Sequence, residues 1–252
     1  MCLVVAALGV SSRHELLFAA NRDERHARPS EPAHWWPDAP DVLGGRDLLA
    51  HGTWLAVDRS GRLAAVTNFR DTSAAAAPLS RGALVADYLR GAQPIEGFAA
   101  ALDTRLNEYG PFSLLLREHG ALRIVSNRAP AAELGAGVHA ISNAAYGVEW
   151  PKVRSARAGM RGVLETPDPI DALFALLAER WPGATLEERY TSSHFVEGPV
   201  YGTRSSTVIA IGRDGQLTFA ERSFDSSARI TNEVRTSFAL EPLASGSAAE
   251  PV

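Results

Sequence analysis

Apolar residues along the chain fall into short runs that each end on a polar residue. CLVVAALGV (residues 2–10) and ELLFAANRD (15–23) are joined by SSRH, a pattern predicting an antiparallel hairpin covered on both faces, with the second run opening onto a sheet margin. Further short strands are expected between Asp41 and Asp71, with DRSG at Asp58–Gly61 as a turn. In the strand at residues 63–69, alternation places Leu63, Ala65, Thr67 and Phe69 on one face and Ala64, Val66 and Asn68 on the other. Helical signals follow, from a Ser80 cap to Gly91 and from Pro94 to Leu106. A second hairpin, with its turn near Glu118–Gly120, and a strand ending at Asn143 come next.

Amphipathic helices are predicted over Trp150–Glu165 and Asp168–Arg180, the latter with Ile170, Leu173, Phe174 and Leu177 on one face. A hairpin around Gly212–Gly215 closes the pattern. Strands, two helices, strands, two helices, strands is the order expected of sheets packed face to face with helices outside. Residues 1–240 read as one α+β domain, and residues 241–252, small and polar, as a disordered tail. Arg28–Val42 and Tyr190–Pro199 read as loops that line the pocket.

Composition narrows the function classes. The chain has 252 residues, is 46% hydrophobic and carries a formal charge of -4 with its Lys and Arg scattered singly, which argues against a nucleic-acid partner. No segment reaches the roughly 18 consecutive apolar residues of a membrane span. With no basic n-region or cleavage site after the first apolar run, the cytosol is the expected compartment. HELLF (14–18) lacks the second histidine of a zinc-protease helix, and the seven histidines show no spacing that gathers two on one element, so no metal is expected. Nucleophile-elbow, dinucleotide and phosphate-loop motifs are absent, so neither is a nucleotide cofactor.

The only cysteine is Cys2. One reading is a small apolar residue near a chain end. The other follows removal of Met1: Cys2 would then carry a thiol and a free α-amine whose reference pKa, about 7.7–8.0, suits it to take the thiol proton. Cys2, Asp23, Asn68, Asn143 and Arg204 all stand at ends of apolar runs and together could supply nucleophile, base, oxyanion donor and orienting charge. Asn21 and the pair Trp35-Trp36 are the candidate substrate contacts, the tryptophans being either a lid over an apolar pocket or a loop anchored in the core.

MCL at the start, NRDE (21–24), GTWLAV (52–57), TNFRD (67–71), ISNAAYG (141–147) and YGTRSSTVI (201–209) resemble, in order, the motifs of the NRDE family, also called the transport and Golgi organisation protein 2 family. The resemblance runs from Met1 to about Phe224. That family in turn resembles the cysteine N-terminal-nucleophile hydrolases, including penicillin V acylase and the bile salt hydrolases, which implies a four-layer αββα sandwich.

Carried over, the resemblance implies Cys2 as nucleophile, Asp23 as the carboxylate holding its amine, Asn68 as oxyanion donor, Asn143 as the second asparagine and Arg204 as the arginine near the thiol. The acylase branch has an arginine where this chain has Ala20. Arg22 stands two residues on, and alternation points it away from Asp23, toward an ion-pair role. Two functions are implied: a cysteine amidase or acyltransferase acting on a small or lipid-like molecule, or a non-catalytic carrier on the same fold with haem or lipid as cargo. No resident cofactor is expected in either.

Overall fold

Leu3, Val5 and Ala7 are buried on one side of the first strand and Val4, Ala6 and Leu8 on the other, so the chain's opening segment is sandwiched from both sides. The computed structural model describes residues 2–70, 77–183 and 185–242, without the side chain of residue 186; most of the expected tail therefore lies outside the described residues.

In chain order the elements begin with β1 (Cys2–Leu8), β2 (His14–Arg25), β3 (Ser30–Trp36), β4 (Ala39–Asp47), β5 (Leu55–Asp58) and β6 (Leu63–Asn68). The helices α1 (Arg81–Arg90) and α2 (Ile95–Asp103) follow, then β7 (Phe112–Glu118), β8 (Ala121–Ser126), β9 (Ala132–Leu134) and β10 (Gly137–Ile141). The chain continues through α3 (Pro151–Val163), α4 (Ile170–Leu177), α5 (Leu186–Ser192), β11 (Tyr201–Gly212), β12 (Gln216–Phe224) and β13 (Ile230–Ala239).

Two antiparallel sheets result, ordered β10-β1-β2-β11-β12-β13 and β3-β4-β5-β6-β7-β8-β9. Val4, Phe18 and Ile209 of the first meet Leu55, Leu63 and Leu115 of the second in a core between the sheets. The outer face of the first sheet is covered by α3 and α4 through Val153, Met160, Leu173 and Leu177. That of the second is covered by α1 and α2 through Leu84, Tyr88, Ile95 and Leu102. The layer order is helix, sheet, sheet, helix, an α+β sandwich, as the alternation of strand pairs and helix pairs implied.

The predicted turns recur with a physical basis. His119 and Gly120, at φ 44° and 77°, form the two-residue connection with positive φ that matches the twist of a hairpin. Gly61, at φ 82°, closes the DRSG turn, in which Asp58 Oδ1 accepts from the N–H groups of Ser60 and Arg62. Two segments read as loops are in fact ordered: Arg28–Val42 contains β3 and the start of β4, and Tyr190–Ser192 ends α5. β3 escaped the pattern because Pro32 withholds an N–H; it is tolerated there because β3 is an edge strand with a register shift between Glu31 and His34. β13, at the opposite sheet's edge, is polar and largely exposed, so no apolar alternation marked it.

Gly52, in GTWLAV, fixes where α1 begins. Thr53 N–H donates to Gly82 O at 3.1 Å, and a Cβ on Gly52 would lie 2.4 Å from the Gly82 carbonyl carbon. Backbone against backbone cannot yield without moving the helix. Gly52→Ala should therefore cost about 1–3 kcal/mol, read as a lower urea midpoint at unchanged slope. An unchanged midpoint would show that the contact relaxes freely.

Candidate active site

The register of the N-terminal hairpin sets the site. Cys2 lies directly opposite Arg22 on β2, so the two side chains share the face that looks between the sheets, while Asn21 and Asp23 face the helices. The loop after β10 clamps the backbone of Cys2: Cys2 N–H donates to Asn143 Oδ1 at 2.6 Å, and Ser142 Oγ donates to Cys2 O at 2.6 Å. Asn143 in turn donates through Nδ2 to Asn68 O at 2.7 Å and to Asn68 Oδ1 at 2.9 Å. Because Asn143 must accept from Cys2, its Nδ2 faces Asn68. Asn68 thus uses its carbonyl oxygen on Asn143 and keeps its own NH₂ group for other partners.

Cys2 and Asn68 both line a cavity of about 500 Å³ at the end of the sandwich where β1, β2, β6 and the start of α1 meet. Its walls also include Arg22, Glu24, Arg28, Asp47, Trp54 and Arg81. The structure joins Cys2, Asn68 and Asn143, three of the residues that the resemblance singles out, in one hydrogen-bonded chain. Among the described residues no group of three or more His, Cys, Asp or Glu is arranged to hold a metal ion.

Asp23 also borders the cavity; with Met1 in place the single amide N–H of Cys2 goes to Asn143. The buried Asp23 carboxylate accepts from Thr203 Oγ1 at 2.7 Å, and its carbonyl accepts from Tyr201 Oη at 2.9 Å. Arg204 is placed differently from the expectation. A register shift between Thr203 and Ser205 makes it the extra residue of a bulge on β11, and bulges re-aim side chains. Its Nη1 converges on the carbonyls of Arg25, His26 and Arg28 at 2.8–3.2 Å, holding the turn after β2. It borders a smaller cleft of about 110 Å³ instead of the Cys2 cavity.

The three candidate substrate contacts are structural. Asn21 donates to Leu177 O and His194 O at 2.9 and 2.8 Å and accepts from Ser206 Oγ at 2.5 Å, which ties the end of α4 to the sheet. Trp36 is buried beneath α1 with Nε1 donating to Gly44 O at 2.9 Å. Trp35 packs edge-on against Phe238 at 5.1 Å. Because β3 is a strand, the adjacent tryptophans point to opposite faces, and neither reaches the cavity.

Three side chains carry more than the sequence suggested. Arg22 does point away from Asp23, but that face holds the Cys2 cavity, and its guanidinium stacks 4.2 Å from the Trp54 ring. Among the described residues it makes no ion pair, so the ion-pair role expected of it is not what the fold assigns. Arg81 opens α1 and borders the same cavity. Lys152, in the first turn of α3, is fully buried, and its Nζ has no hydrogen-bond partner among the described residues. No motif flagged it, since a lone lysine in an amphipathic helix reads as solvated.

Burial pushes the Asp23 carboxyl above the usual aspartate range, and the charge of the N-terminal amine, then that of Lys152, the Thr203 bond and the charge of Arg22 oppose the shift. Burial likewise pulls Lys152 below its ordinary value, opposed by Asp23 and then Cys2. Lys152→Met removes one of the offsets on Asp23, so that carboxyl should rise further. A group whose folded pKa exceeds its unfolded value, about 3.9 for Asp, stabilises the fold below that value and loses this as pH climbs through the folded pKa. At low pH the methionine also lifts the burial cost of the ammonium. Urea unfolding should show the variant's stability, relative to wild type, falling as pH rises from about 4 to 7. A difference independent of pH would mean that the two groups are uncoupled.

Comparison with known proteins agrees with the motifs. The family model for Transport and Golgi organisation 2 matches residues 1–226. The Transport and Golgi organization protein 2 homolog of Bos taurus is 30% identical over 239 residues, covering 83% of this chain and 87% of that protein. The Drosophila melanogaster protein is 24% identical over 244 residues, covering 83% and 86%. Among solved structures, a Caenorhabditis elegans N-acylethanolamine-hydrolyzing acid amidase ortholog aligns with TM-score 0.52 at 12% identity, over 83% of this chain and 92% of its own. A conjugated bile acid hydrolase from Clostridium perfringens aligns with TM-score 0.54 at 12% identity, over 96% and 94%. At such identities the likeness shows the fold, that of the N-terminal-nucleophile hydrolases. With its motifs in order and the family match spanning most of its length, this chain belongs to the Transport and Golgi organisation 2 family.

Proposed function

We propose that the protein is a cysteine N-terminal-nucleophile hydrolase or acyltransferase acting on an amide or related acyl bond of a small or lipid-like molecule. One observation carries the reading: the Cys2–Asn143–Asn68 chain fixes the nucleophile's backbone and leaves Cys2 and an uncommitted Asn68 NH₂ on one cavity. The neighbours that share the fold include proteins named as an amidase and as a bile acid hydrolase, which supports the reaction class without transferring a substrate.

The mechanism requires loss of Met1, which frees the α-amine of Cys2. The amine takes the thiol proton, and the thiolate sulfur attacks the acyl carbon. Asn68 Nδ2 donates to the oxyanion of the tetrahedral intermediate. Collapse breaks the bond to the leaving group, which departs with the proton returned by the α-ammonium. A thioester remains on Cys2 and is cleaved by water or by an acyl acceptor. Asn143 acts by holding Cys2 and Asn68 in register. Its own polar atoms are already committed to them.

Incubation with p-nitrophenyl octanoate should give intact masses lacking Met1, and an octanoyl adduct that is absent in Cys2→Ala. Retention of Met1, or no adduct, would sink the mechanism. Asn68→Ala should lower turnover about 10²–10³-fold, as loss of an oxyanion donor does elsewhere. Turnover equal to wild type would remove Asn68 from the oxyanion hole.

A further inference from the structure

The charges around the Cys2 cavity are unevenly spent. Asp47 is bound by Arg28 at 2.7 Å, Glu24 accepts from Arg25 N–H at 2.8 Å and lies 3.9 Å from Arg28, and Asp23 accepts from Thr203. Every carboxylate in the lining is therefore engaged, and Arg28 with them. Arg22 and Arg81 are not: among the described residues neither has a carboxylate partner. Arg22 is only 7% exposed, borders the cavity and among the described residues forms no hydrogen bond from its guanidinium, being supported from one side by the Trp54 ring. Glu24 and Asp47 act on it through space only, and a nearly buried cation without an anion in contact carries a desolvation cost.

Arg81 sits across the cavity wall, with Nη1 donating to Pro111 O at 3.2 Å. It is the first residue of the ten-residue helix α1, whose Ser80 cap and Gly82 border the same space. A helix start adds positive potential from its first N–H groups. Two guanidinium groups and a helix start thus border one cavity whose carboxylates are each bonded to other groups.

We infer that Arg22, Arg81 and the first turn of α1 form a subsite for a carboxylate or sulfonate carried by the acyl substrate. The inference rests on the acyl-transfer reading for what lies at Cys2, but the subsite itself is a matter of binding. Arg22 fits the role because its planar fork can meet two oxygens of one anion while Trp54 fixes its plane. The Gly52–Gly82 contact fits it too, since it locks the helix start against the segment leading to Trp54.

The test uses the full chain carrying Cys2→Ala, titrated calorimetrically with N-octanoylglycine, N-octanoyltaurine and the neutral N-octanoylglycinamide. At least one anionic probe should bind about tenfold or more tightly than the amide. Which one does so distinguishes carboxylate from sulfonate. Arg22→Gln and Arg81→Gln should each abolish that preference, Arg81→Lys should retain part of it, and added salt should weaken it. Should Arg22→Gln fail to fold, the Arg81 pair still decides. Equal affinity for charged and neutral probes, no binding of any probe, or a preference surviving the Arg81→Gln change overturns the subsite. Turnover by the wild-type protein separates the two readings. Charge-selective binding without cleavage keeps the subsite and counts against the hydrolase, whereas cleavage of all three at equal kcat/KM does the reverse.

Discussion

The carboxamide of Asn143 is the fastening on which the site depends. It is almost fully buried, it accepts from the backbone of the first strand in one sheet, and it donates to the last residue of β6 in the other. A buried amide must satisfy both its ends, and here the two ends belong to different sheets. The geometry between Cys2 and Asn68 is therefore set by one rigid planar group. Ser142 adds a second clamp on the same strand end, so the start of the chain, where fraying is the norm, is held at both backbone groups of Cys2.

Around that fastening the molecule keeps its charged groups on separate faces. On the helix side of β2, Asp23 and Lys152 are buried opposite charges whose mutual attraction offsets part of the desolvation cost that each carries. On the inner side, Arg22 reaches the cavity with only an aromatic ring behind it. The alternation of a single strand is what divides them: Asn21 and Asp23 serve the fold's outer layer, and Arg22 serves the cavity. Three consecutive residues of the NRDE motif thus have three separate tasks, with Asn21 tying down α4, Arg22 facing Cys2, and Asp23 bridging to β11.

The bulge at Arg204 shows the limit of reading a site from a motif. The motif YGTRSSTVI carries no sign of the bulge that makes Arg204 an extra residue between Thr203 and Ser205. Arg204 then satisfies carbonyls in the turn after β2, a structural duty that keeps the Arg22 segment in place. Trp35 and Trp36 went a similar way. Their segment lacks strong strand propensity, but pairing with β4 supplies what propensity does not, and strand geometry sends the two rings to different cores.

Local periodicity and the places where apolar runs stop are enough for the layer order and the hairpin turns, whereas it is the resemblance of the motifs that singles out Cys2, Asn68 and Asn143 as parts of one site. Tertiary packing sets which sheet face each polar residue serves across a bulge, which edge strands form despite Pro32 or a polar pattern, and which cations border the Cys2 cavity without a carboxylate contact among the described residues. Those outcomes depend on how elements pack, in the case of Lys152 and Asp23 across more than a hundred residues, and no local pattern encodes how two distant charges share one buried space.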